Sequence, residues 1–280
     1  MSILFVTTLI SYTMSIGLVF FTVKNIKSRD KKEAESRFKT ESICRFSLLA
    51  SIVLHAGLLY MTNHYDGEFN LSLGRAISLS AWMSMALYLV FSLFTKTLSL
   101  GIIIAPIGMF GFLAGYMTPG SPFLISELST GQSLPGMILH IVIAVPAYGV
   151  LCIAFAQAMV LFFQEKQLHR PNPVSHLKFL PAIETMESNL FWLTYMGFIL
   201  LTVNLIMGGY LSWHYYGQVL WINHHILLSL LSWFCFGFLL LGRNLFGWRG
   251  EHAAKWTMGG FAFLALGYFG TRFVRDIILA

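Results

Sequence analysis

Apolar residues in this chain fall in long unbroken runs, neither alternating nor confined to one helical face, and short polar connectors divide the runs. A helix crossing a bilayer needs about 20 largely apolar residues. Eight stretches meet that requirement, at about 2–23, 43–62, 72–94, 98–116, 134–163, 190–213, 221–241 and 256–278. Hydrocarbon offers no water to free backbone N–H and C=O groups, so each run is predicted to be a helix. The expected fold is an all-α integral membrane protein of about eight transmembrane helices, forming one polytopic domain over residues 1–280. Pro146 gives the long fifth run a reason to kink, and Pro106 does the same in the fourth. No internal repeat interrupts the pattern.

Composition agrees with this reading. Hydrophobic residues make up 56% of the chain and charged residues only 11%, against about 25% charged in a soluble domain. The spans and short connectors use nearly every residue and leave no room for a separate soluble domain. The first run is too long for a signal-peptide core and lacks a basic leader, so it is expected to be retained as a span.

Charge then orients the spans. The net charge of +6 would suggest nucleic acid in a soluble protein. Here the basic residues sit beside apolar runs, and no nucleic-acid partner is expected. Fifteen of the 18 Lys and Arg residues flank the odd-numbered connectors, eight of them between Lys24 and Arg45. Only Arg75, Arg272 and Arg275 fall on the other side. Basic residues accumulate on the cytoplasmic side, so both termini are expected outside. The Lys27–Lys39 run reads as a solvated cytoplasmic connector, with contact to anionic lipid as a lesser role. Residues 117–133, rich in Gly, Ser and Pro and free of Lys and Arg, are expected along the outer surface.

Ionisable groups inside a membrane are costly and usually functional. None of the 12 acids falls in the middle of a run, which weakens a proton-coupled pump or ion transporter. Histidine is what remains. His55 and His140 lie six or seven residues from the outer ends of their runs, which places both about 10 Å deep at 1.5 Å rise per residue. His214, His224 and His225, together with Arg75, Arg272 and Arg275, close or open runs at the same face. Imidazole is a common axial ligand of haem iron, and arginine forks suit the propionates. Trp213, Tyr215, Tyr216 and Trp221 are placed to flank a macrocycle edge.

Plainer readings stand beside this one. A histidine on a membrane helix can simply hydrogen-bond a neighbouring helix, and Trp and Tyr at a span end form an interfacial belt by default. His224 and His225 cannot face the same way, so at most one of them is a ligand. His169, His176 and His252 are expected in solvated connectors. Zn²⁺ or Cu²⁺ is the alternative metal for these imidazoles, but no local ligand spacing supports it. Cys44, Cys152 and Cys235 are far apart and form neither a CxxC pair nor a CxxCH haem-attachment motif.

The second half also resembles a known family. Pro181-Ala-Ile-Glu-Thr-Met-Glu187, Gly197-Phe-Ile-Leu-Leu-Thr202, Gly208-Gly209, Gly247-Trp-Arg-Gly250 and Tyr268-Phe-Gly270 are similar in order and spacing to the CcsA/CcmC-like cytochrome c assembly proteins. The shorter HemX/YpjD-like inner-membrane branch is the most similar. Leu134-Pro-Gly-Met-Ile-Leu-His140 resembles the family segment that carries an outer haem-ligand histidine. The likeness covers residues 130–275 well and the first three spans loosely. It departs at the family's outer tryptophan-rich loop. Tyr216-Gly217 stands where Trp-Gly is expected, Asn223 and His225 replace an Asp and a Lys, and no histidine follows Tyr268-Phe-Gly270.

The resemblance implies a multi-pass protein of the bacterial inner membrane that binds haem b near the outer leaflet, for cytochrome biogenesis or control of the haem pathway. His140 is the first candidate for axial ligand, with His55 or His225 opposite. Arg75 and Arg272 are candidate propionate partners, and His214 and Trp221 are further candidates at the same face. The expected partners are haem, the lipid bilayer and other cytochrome-assembly or membrane proteins. No catalytic residue set is expected. The rival reading is a non-catalytic accessory subunit that stabilises another membrane protein, such as a metal transporter. A small-molecule carrier is disfavoured by the missing mid-membrane acids, and transmembrane electron transfer by the absence of histidine from the cytoplasmic half of the runs.

Overall fold

The computed structural model describes residues 2–24, 31–65, 68–95, 97–118, 134–168, 181–217, 224–270 and 273–274. Among these are eight α-helices: α1 (Ser2–Lys24), α2 (Lys31–Thr62), α3 (Leu73–Phe94), α4 (Gly101–Met117), α5 (Leu134–Leu168), α6 (Ile183–Tyr216), α7 (His224–Phe246) and α8 (Gly250–Ala265). A 3₁₀ turn, Leu98–Leu100, leads into α4, and a π-helical turn, Leu266–Gly270, extends α8. Between α2 and α3 lies a small antiparallel hairpin, β1 (His64–Tyr65) and β2 (Glu68–Phe69). Pro106 and Pro146 both lie inside unbroken helices.

Seven of the helices are long and apolar enough to cross a membrane, and the chain is an all-α membrane protein. The eighth differs from expectation. It starts at Gly250 rather than near residue 256, runs for 16 residues and passes into the π turn. Its start is fixed by a side chain distant in sequence: Glu187 Oε1 accepts the Gly250 N–H at 2.6 Å. This contact joins the Pro181–Glu187 and Gly247–Gly250 stretches, which the sequence shows only as separate motifs. Gly250 also adopts φ +58° with the Glu165 carboxylate against it, a backbone conformation and a space that favour glycine. Helix α2 likewise begins at Lys31, well before the apolar run. The hydrocarbon requirement fixes only the apolar part of a helix, and the helix-favouring Lys, Glu, Ala and Arg residues ahead of it carry the coil into the water.

The helices alternate in direction, each antiparallel to the next. Small residues set their spacing, because lipid gives no hydrophobic drive for association and close packing must supply it. On α4, Gly108, Gly111 and Gly115 meet Met85, Ala81 and Ser78 of α3; a Cβ at Gly115 would come within 2.5 Å of Ser78 Cβ. Gly149 of α5 receives Leu87 and Met83 of α3, where an added Cβ would approach Leu87 Cδ1 to 2.9 Å. Gly260 of α8 accepts the ring of Phe236 from α7. Hydrogen bonds cross the same seams. Trp82 donates to Ile52 O (3.0 Å), Gln157 to Met186 O (3.0 Å), Trp233 to Thr202 Oγ1 (2.8 Å) and Ser232 to Gly260 O (2.8 Å). Helices α1–α4 form one packed group and α5–α8 another, joined where α3 lies along α5.

Candidate functional site

The alternation brings the N-termini of α1, α3, α5 and α7 to the same end as the C-termini of α2, α4, α6 and α8. His55, Arg75, His140, His214 and His225 therefore share one end of the bundle, as the sequence implies. Within that end they separate into distinct surroundings.

His140, on the first turns of α5, packs its ring against Gly208 of α6. A Cβ at Gly208 would lie 3.3 Å from His140 Cε1, so glycine there leaves the ring its room. His140 Nδ1 is buried and has no hydrogen-bond partner. The second imidazole within electrostatic reach is His225, at the start of α7. His225 in turn meets Tyr268 edge to face, with centroids 5.9 Å apart, on the π turn that extends α8. Tyr148, two turns along α5 from His140, donates to Leu264 O (3.0 Å) and packs edge to face on Tyr268 and Phe269. His225 of α7 thus stands against aromatic rings supplied by α5 and the turn after α8, with His140 of α5 within electrostatic reach of it. A π turn is a common way to redirect a helix at a functional site, and here it presents Tyr268 to His225. In the sequence Tyr268 stands out only as part of a motif, with no role for its side chain, and Tyr148 carries no signal at all.

His55 lies elsewhere. It is fully buried among α1, α2, α3 and α4, and both ring nitrogens are engaged: Nδ1 with Tyr12 Oη and Nε2 with Ser78 Oγ, each at 2.8 Å. Phe112 closes over it edge to face, 5.5 Å between centroids. Below it, Ser11, Ser15, Ser47 and Ser51 form a hydroxyl ladder between α1 and α2, with contacts of 2.8–3.2 Å. The depth shared by His55 and His140 is not a shared pocket.

His214 is exposed and stacks parallel on Tyr210, one turn earlier in α6. Arg75 is half-buried on the first turn of α3, seven residues before Trp82, whose indole donates to Ile52 of α2. Trp221, Arg272 and Arg275 lie outside the described residues, as do His169, His176 and most of the 117–133 connector. His252 is exposed beside Trp248. Among the described residues no three His, Cys, Asp or Glu side chains converge, so the Zn²⁺ or Cu²⁺ alternative gains no ligand cluster. The residues at His140 do fit one imidazole-ligated group: a buried nitrogen without a partner, a second imidazole within electrostatic reach and an aromatic ring packed on that second imidazole.

Comparison with known proteins gives this arrangement its context. The sequence model of the cytochrome C assembly protein family matches residues 43–279, a region that includes every helix of the site. The chain belongs to the cytochrome c assembly protein family. It is 31% identical over 150 residues to the inner membrane protein YpjD of Escherichia coli K12, covering 52% of this chain and 55% of that protein. It is also 31% identical over 141 residues to an uncharacterized 28.8 kDa protein of Azospirillum brasilense, covering 50% and 52%. These matches span about half the length of either relative. A longer alignment, 24% identical over 295 residues, joins 92% of this chain to 88% of the cytochrome c biogenesis protein CcsA of Trieres chinensis.

Proposed function

We propose that this protein holds a b-type haem near the outer leaflet of the bacterial inner membrane, for cytochrome biogenesis or control of the haem pathway. One observation carries the reading: the buried, unpartnered Nδ1 of His140, with the imidazole of His225 within electrostatic reach. A buried nitrogen left without a partner costs about 1–3 kcal/mol, a cost that persists in a fold only when something else is gained. Holding the iron of a bound haem would be that gain, with His140 as the first candidate ligand and His225 as the second. His55 takes no ligand role in this proposal, because its two nitrogens already join three helices.

Bound haem would supply an iron centre able to change oxidation state. The chain's own part is to hold that group. Gly208 leaves the ring of His140 its place, and Tyr268, itself packed on Tyr148, stands against His225. Arg272 and Trp221, outside the described residues, complete the proposal as propionate and macrocycle-edge contacts. The outward direction of this end rests on the Lys and Arg asymmetry, with 15 of 18 at the opposite side. Family membership supports the haem connection, and the likeness to YpjD, an inner membrane protein, supports the setting.

The test is a reduced-minus-oxidised absorbance spectrum with a pyridine haemochrome assay on protein purified in mild detergent from haem-replete cells. The expected result is a b-type signal near one haem per chain, as one axial-ligand pair implies, and its loss in His140→Ala. Full haem content and an unchanged spectrum in that variant would remove His140 from the site. A folded but colourless parent protein would end the haem reading and favour an accessory subunit, to be sought through a stoichiometric copurifying partner.

A further inference from the structure

A second polar cluster stands at the same end of the bundle, on helices the haem proposal does not use. It lies where α2 ends and α3 begins, and it is built of donors that have nothing to donate to. Asn63, fully buried just after α2, binds Asn70 across the base of the hairpin through Asn70 N–H to Asn63 O, 2.6 Å. Its side-chain Oδ1 accepts from Thr62 Oγ1 at 3.3 Å, while Nδ2 is buried without a partner. Asn70 Oδ1 in turn accepts the N–H of Ser72 at 2.9 Å. Ser72 occupies the cap position of α3 and is 2% exposed, yet its hydroxyl makes no capping bond and has no partner. Three residues on, Arg75 leaves its Nη1 buried and unpaired as well.

The chain of bonds Asn63–Asn70–Ser72 ties the end of α2 to the start of α3. The first closed helical bond there is Ala76 N–H to Ser72 O, so the N–H groups of Leu73, Gly74 and Arg75 precede the ladder. The helix is 22 residues long, and its dipole places partial positive charge at this end. A guanidinium, a hydroxyl, an amide N–H₂ and a helix N-terminus all ask for the same thing, an acceptor carrying negative charge. An arginine at the end of a membrane span has the headgroup layer as its surroundings, and a phosphate there is the oxyanion within reach.

We propose that Asn63, Ser72, Arg75 and the N-terminus of α3 form a binding site for a phosphate oxyanion, separate from the histidine pair. The phosphate comes either from an anionic phospholipid headgroup or from free phosphate, and the two are told apart by the acyl chains.

The experiment uses the full chain, delipidated in mild detergent, and titrates it with phosphatidylglycerol, with diacylglycerol of the same acyl chains and with inorganic phosphate. Bound lipid is read by native mass spectrometry, and unfolding temperature by tryptophan fluorescence. The expected result is retention of phosphatidylglycerol but not diacylglycerol, weakened about tenfold in Arg75→Gln by loss of a charge-assisted bond. Ser72→Ala has no capping bond to lose, so it folds as the parent does and is expected to weaken binding about threefold. Stabilisation by inorganic phosphate alone, abolished in the same two variants, would support the site with free phosphate as its source. Equal retention of diacylglycerol, or binding unchanged in Ser72→Ala and Arg75→Gln, would overturn the proposal. Phosphate-independent behaviour in every arm would leave only a buried water at these donors, and a fall in haem content with unaltered lipid binding would give Arg75 to a propionate. Either result also overturns it.

Discussion

A Gly74→Ala variant is expected to unfold at a much lower temperature than the parent protein, with a loss of about 3 kcal/mol, the upper range for overpacking a tight core. Gly74 lies on the first turn of α3, where Thr118 and the carbonyl of Ala114 at the end of α4 close over it. A Cβ there would overlap Thr118 Oγ1 and stand 2.5 Å from Ala114 O. The carbonyl is backbone and cannot rotate away, so α3 and α4 would have to separate along the seam of Gly108, Gly111 and Gly115. Gly17, in α1, is the control, since nothing lies within 4 Å of the Cβ it would gain. Alanine there replaces a glycine within a helix and is expected to be neutral or to add up to about 1 kcal/mol. Thermal unfolding followed by tryptophan fluorescence in detergent separates the two. Equal unfolding temperatures for both variants would contradict the close approach of α3 to α4.

The second large effect is expected at His55. His55→Leu keeps the volume filled but strands Tyr12 Oη and Ser78 Oγ, which now bond the two ring nitrogens at 2.8 Å. An unsatisfied buried hydroxyl costs about 1–3 kcal/mol. Membrane-embedded hydrogen bonds average somewhat less, so the loss is put at about 2 kcal/mol. Tyr12→Phe and Ser78→Ala, which each remove one partner, are expected to cost less singly. Combining Tyr12→Phe and Ser78→Ala with His55→Leu should recover part of the stability, because no stranded hydroxyl is then left. Haem content is the decisive readout. It should stay at the parent level in His55→Leu and fall in His140→Ala. Parallel loss of haem in both would return His55 to the ligands and deny the Tyr12–His55–Ser78 triad a purely structural role.

Seven of the eight helices are legible in the sequence because hydrocarbon thickness imposes a length on every apolar run. Their outward extensions are not, since residues such as Lys31–Lys39 are under no such constraint, and the start of α8 depends on Glu187, 63 residues away. The candidate site is legible as an inventory. His55, Arg75, His140, His214 and His225 all fall at one end, as depth along each run requires. Depth along a helix says nothing about the direction a side chain takes around it. For that reason depth alone gives His55 and His140 the same standing, while the structure engages one with Tyr12 and Ser78 and leaves Nδ1 of the other without a partner. The donors at Asn63 and Ser72 carry no sequence signal at all, because buried asparagines and serines in connectors are ordinary and only a lack of partners distinguishes them.

What the sequence determined by itself, then, is the solvent: 56% hydrophobic residues gathered in spans, basic residues on one side, and imidazoles with arginines at the opposite end. These follow from one-dimensional requirements, the cost of exposing apolar surface to water and backbone polar groups to lipid. The tertiary structure decided which of those imidazoles meet. The azimuth of each helix is set by how glycines such as Gly74, Gly149 and Gly208 admit their neighbours, a contact between segments far apart in the chain. Packing of that kind set His140 against Gly208, gave His55 to the joint of three helices, and left Arg75 at the head of α3.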